Sequence, residues 1–76
     1  MNASRRKELA SLIEEISAIR SRLESVRDEE QDAFNNMPEG LQASERGQAS
    51  ETAAGLLDEA LASLDELEST LEEASQ

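Results

Sequence analysis

Carboxylates are the only abundant reactive groups in this chain. Eighteen Asp and Glu residues stand against seven Lys and Arg, with no His and no Cys, for a net charge of −11. The densest set recurs every seven residues as Leu57-Asp58-Glu59, Leu64-Asp65-Glu66 and Leu71-Glu72-Glu73. An apolar residue at every seventh position is a helix seam, and the two residues after it face water. The spacing therefore predicts a ladder of carboxylates along one helix face, formed by Asp58, Glu59, Asp65, Glu66, Glu72 and Glu73. Successive pairs fall about 10 Å apart. No Lys or Arg lies between Gly47 and Gln76 to neutralise them.

That chemistry suits binding and not turnover. Without His the commonest general base and metal ligand is missing, and without Cys there is no thiolate or disulfide. A di-iron carboxylate bundle needs Glu-x-x-His. An EF-hand needs acids alternating about a central Gly, and no such loop is present. Gly40, Gly47 and Gly55 are spaced too widely for a phosphate loop. Asp28, Glu29, Glu30 and Asp32 point in different directions around a helix and do not converge on one ion. Paired carboxylates such as Asp58 and Glu59 offer divalent cations only weak, nonspecific association. The expectation is a protein that is not an enzyme, with no cofactor and no metal site.

The charge is uneven: residues 1–35 carry a net of −2 and residues 36–76 a net of −9. Such a surface is repelled by nucleic acid and by anionic membranes, and attracted to basic proteins. The one basic cluster, Arg5-Arg6-Lys7, has no aromatic nearby on which to stack a base. No apolar run is long enough to span a membrane or serve as a signal peptide. The cytoplasm is the expected location.

The elements that position the ladder follow from the apolar pattern. Seventy-six residues make one domain at most, too short to bury a large core alone. On the first helix, expected over 4–35 with Ser4 or an Asn2 cap at its start, the seam reads Leu9, Leu12, Ile16, Ile19, Leu23, Val26, then Glu30 and Ala33. Ile13 widens the stripe, and the whole pattern runs roughly 45 Å. Glu30 is the one acid on this seam, where it meets solvent, Arg27 or Arg46. Pro38 and Gly40 interrupt the chain, so 36–43 is expected as the turn, plugged by Phe34, Met37 and Leu41. The second helix is expected over 44–74, and Ser44 and Ser50 are both acceptable caps for it. Its seam is Ala53 or Ala54, Leu57, Ala60 or Leu61, Leu64, Leu67 and Leu71. An arginine among Arg20, Arg22 and Arg27 is expected to bridge to Glu68. The fold class is all-α: an antiparallel two-helix hairpin, coiled-coil-like, pairing as a homodimer into a four-helix bundle.

Three segments carry a resemblance. Asp28-Glu29-Glu30-Gln31-Asp32-Ala33-Phe34, Asn36-Met37-Pro38-Glu39 and Ser44-Glu45-Arg46-Gly47, followed by the Leu-acid-acid heptads, resemble small acidic helical proteins encoded in phage and prophage genomes. The resemblance covers residues 28–74 and carries over no functional residue. It implies a mobile-element context, in which small acidic proteins act as stoichiometric inhibitors of host nucleic-acid-binding machinery, in the host cytoplasm. The leading expectation is a nucleic-acid mimic whose six carboxylates occupy a basic groove meant for phosphates, possibly in a host defence complex. The alternatives are a self-assembling structural or adaptor bundle, and an acidic antitoxin or chaperone for a basic partner.

Overall fold

The computed structural model describes residues 1–76 and is all-α, with no strands. Helix α1 spans Ala3–Asn35, the single turn α2 spans Glu39–Gln42, and α3 spans Glu45–Ala74. The stretch expected as an open turn thus holds a short helix. The Asn2 side chain caps α1 by accepting the Arg5 N–H at 2.8 Å. Of the two possible caps for the last helix, Ser44 serves: its hydroxyl accepts the Gly47 N–H at 3.4 Å and donates to the Leu41 carbonyl.

The two long helices pack along their length. Contacts pair Glu30 with Ser50, Arg27 with Asp58 and Arg20 with Asp65, so residue numbers fall on α1 as they rise on α3. The half-buried positions on α1 are Leu9, Ile13, Ile16, Arg20, Leu23, Arg27, Glu30 and Phe34, at alternating steps of four and three. On α3 the same alternation runs through Gly47, Ser50, Ala54, Leu57, Leu61, Leu64, Glu68 and Leu71. Each helix thus offers the a and d positions of a heptad to the other. Position a falls at 13, 20, 27 and 34 on α1 and at 47, 54, 61 and 68 on α3.

This register splits the apolar stripe of α1. Leu9, Ile16 and Leu23 face α3, but Leu12, Ile19 and Val26 stand 39, 52 and 50% exposed. On α3, Leu57, Leu64 and Leu71 face inward and Leu67 stands 44% exposed. Both Leu12 and Ile13 are apolar, and Ile13 is the one that α3 selects. The inward positions at 20 and 27 are arginines, whose aliphatic stems cover the seam while their charged heads reach past it.

The core is thin. Ala54 and Leu61 are the buried hydrophobic residues, at 2 and 8% exposure. Near the turn small residues face larger ones, which lets the backbones approach. Gly47 shows this most sharply, because a Cβ there would drive into the backbone carbonyls of Gln42 and Leu41. The Gln42 amide donates to the Phe34 carbonyl at 3.0 Å and ties α2 to the end of α1. Glu30 meets neither Arg27 nor Arg46; it accepts a 2.7 Å hydrogen bond from the buried Ser50 hydroxyl.

The molecule measures 58 × 15 × 12 Å, with a radius of gyration of 17.3 Å. A compact chain of this length has a radius of about 11 Å. Its accessible surface of 5525 Å² likewise exceeds the roughly 4600 Å² of a compact chain of 8.3 kDa. No helix is long and apolar enough to cross a membrane.

Candidate protein-binding surface

The heptad register sorts the carboxylates of α3 by direction. Position e holds Glu51, Asp58, Asp65 and Glu72. Position f holds Glu45, Glu59, Glu66 and Glu73. All eight are exposed. They form two parallel files with a repeat of about 10.5 Å along the helix. The ninth acid of α3, Glu68, lies at an inward position with its Oε1 buried and no hydrogen-bond partner.

The two files differ in what they touch. Position e borders α1, and the arginines at the inward positions of α1 reach it. Arg20 Nε lies 2.6 Å from Asp65 Oδ1, and Arg27 Nη1 donates to Asp58 Oδ1. Arg27 Nε also donates to Asp28 Oδ1 at 2.8 Å. Hydrogen bonding to Asp58, and then to Asp28, raises the Arg27 pKa above its ordinary value. These pairs are partly exposed, so each contributes about 0–1 kcal/mol. Their clearer effect is on register, since arginines seven residues apart meet aspartates seven residues apart.

The six candidate residues therefore do not form one uniform ladder. Asp58 and Asp65 are engaged within the chain. Glu59, Glu66, Glu72 and Glu73 have no basic partner, and Glu45 and Glu51 extend their files toward the turn. The bridge expected at Glu68 forms one turn-position away, because an inward Arg projects over the flank of the seam and meets the e position first. The signal for this pairing was in the sequence: Arg20 and Arg27 share their seven-residue spacing with Asp65 and Asp58.

Comparison with protein-family models, curated proteins and solved structures finds no match. Functional argument therefore rests on the surface itself. No three carboxylates gather where they would hold one metal ion. Seven-residue spacing instead spreads charge over a long edge, a geometry suited to an extended cationic surface.

The opposite flank is different in kind. Positions c and g of α3 carry no acid from Arg46 to Ala74. Leu56 stands there 60% exposed, beside Leu67. On α1 the g positions are Leu12, Ile19, Val26 and Ala33. Where two helices of a coiled coil run in opposite senses, e borders e and g borders g. One flank of the pair is therefore charged and bridged, and the other is apolar and uncovered.

Proposed function

We propose that this chain is a non-enzymatic acidic protein that acts by docking on a basic protein surface. In this reading it folds as an antiparallel helical hairpin, pairs with a second copy into a four-helix bundle, and presents the outer carboxylates of α3 in place of a nucleic acid's phosphates. The observation that supports it most is the segregation of charge: eight of the nine acids of α3 lie at e and f, and the adjoining c and g positions have none. Acidity that served solubility alone has no reason to gather on one edge. The resemblance to phage and prophage proteins adds a context, inhibition of a host nucleic-acid-binding or defence complex in the host cytoplasm.

The test uses the immobilised protein and host proteins that bind heparin, a fraction rich in basic grooves. Glu59→Gln, Glu66→Gln, Glu72→Gln and Glu73→Gln together remove four charges and leave the Arg20 and Arg27 pairs intact. Wild type should retain a protein at low salt and release it at high salt, because exposed charge pairs are screened. The four-fold variant should retain far less. Equal retention by both proteins, with equal helix content, would reject the reading.

A second reading is favoured by the uncovered apolar flank: a self-assembling structural or adaptor bundle whose acids only keep it in solution. It predicts that the four-fold variant behaves as wild type.

A further inference from the structure

The seam between α1 and α3 uses only part of the apolar surface. Leu12, Ile19 and Val26 recur every seven residues along the g edge of α1, each at least 39% exposed. Leu67 and Leu56 lie on the matching edge of α3, with Ala53 and Ala60 between and beside them. An open depression lined by Ile19, Arg22, Leu23, Ser25 and Val26 lies on the same edge. We propose that this g edge is the surface on which a second copy of the chain docks, through a two-fold axis. The proposal rests on the dimeric reading above and assigns it a face.

Three features commit the face to a second copy. The first is relief. Bulky side chains stand on α1 and alanines alternate with leucines on α3, so one helix offers knobs and the other a shallow floor. A two-fold sets the knobs of each copy over the floor of the other, which is what a self-complementary interface requires. The second is charge. A chain of net charge −11 repels its own copies unless its acids are kept from the contact. Here the acids of α3 lie at e and f, on the far flank. Next to the apolar ridge of α1, Glu15 and Arg22 both occupy c positions, opposite charges that a two-fold can bring together. The third is area. A face 58 Å long and 12–15 Å wide offers roughly 800 Å² per copy, about what a specific interface buries on each partner.

The arrangement has a consequence for the ridges. Docking through g leaves both e/f edges on the outside of the bundle, pointing away from the interface. The dimer would then present two carboxylate edges, one per copy, on opposite outer sides.

The experiment uses the purified full chain with no basic partner, so its outcome is separate from that of the ridge. Light scattering and sedimentation equilibrium should give twice the chain mass of 8.3 kDa. Ile19→Glu with Val26→Glu should weaken self-association at least 100-fold and return the mass of one chain. Because a lone hairpin of this size is marginal, a second measurement does not depend on its stability. The chain has no Cys. Ile19→Cys should therefore become protected from a thiol reagent as protein concentration rises, and Thr52→Cys, on the acidic edge, should react at a constant rate. A single-chain mass for wild type at all concentrations overturns the proposal. So does a dimer in which position 19 reacts as freely as position 52, or a glutamate variant that keeps the dimer mass.

Discussion

Two glycines on one helix should respond to the same substitution with opposite signs. Gly47 and Gly55 both lie within α3, both have ordinary negative φ, and each lacks the helix propensity of alanine. Gly→Ala in a helix interior gains about 1 kcal/mol. At Gly55 a Cβ meets nothing within 4 Å, so the full gain should appear. At Gly47 the Cβ meets the Gln42 and Leu41 carbonyls, which are backbone atoms held by α2 and cannot swing aside. Overpacking of this kind costs about 1–3 kcal/mol, and a backbone obstacle belongs at the upper end. Net of the propensity gain, Gly47→Ala should lose about 2 kcal/mol. For a domain of this size 1 kcal/mol moves Tm by about 4–8 °C. Gly55→Ala should therefore melt about 4–8 °C above wild type, and Gly47→Ala about 8–16 °C below it. The assay is thermal and urea unfolding followed by far-UV circular dichroism, at one fixed protein concentration, because self-association moves Tm. A Gly47→Ala variant as stable as wild type would refute the close approach between α2 and the first turn of α3.

Three further changes probe other contacts. Leu61→Ala removes the one large side chain that is nearly fully buried and should cost about 2–5 kcal/mol in urea unfolding; Leu64→Ala and Ile16→Ala, half-buried, should fall at the low end of that range. Ser50→Ala takes the hydrogen-bond donor from Glu30 and should cost about 0.5–1.5 kcal/mol, with Ser50→Thr or Cys separating the lost bond from lost volume. A double-mutant cycle of Arg27→Gln and Asp58→Asn should give a coupling below about 1 kcal/mol that shrinks in 1 M salt.

Much of the architecture was legible in the spacing of a few residues. Leu57, Leu64 and Leu71 mark an inward file without ambiguity, because each is followed by two acids. The helix breaker at Pro38 locates the reversal. The register of α1 was not legible in the same way. Apolar residues at 9, 12, 13, 16, 19, 23 and 26 fit two seams that share Leu9, Ile16 and Leu23, and one seam places Arg20 and Arg27 inward. A sequence pattern that assigns charge to the outside discards that seam. Packing restores it, because an arginine stem covers apolar surface and its head finds an aspartate on the facing helix. The rejected seam is not idle, since its residues form the uncovered flank. The division of the six acids into bridged and free was hidden for the same reason, as it depends on which α1 residues face inward. Gly47 carried no signal at all: its role is a distance to a backbone carbonyl, and only the fold sets that distance.

The most direct measurement of the account's central claim is a displacement titration. A basic host protein retained by the immobilised chain is bound to a fluorescently labelled DNA duplex, and this protein is added while anisotropy is followed. Mimicry predicts that wild type releases the duplex with saturable stoichiometry, that release weakens as salt rises, and that the variant with Gln at 59, 66, 72 and 73 releases little at the same concentration. Release by both proteins alike, or a duplex that stays bound while wild type occupies the same basic protein, would contradict it.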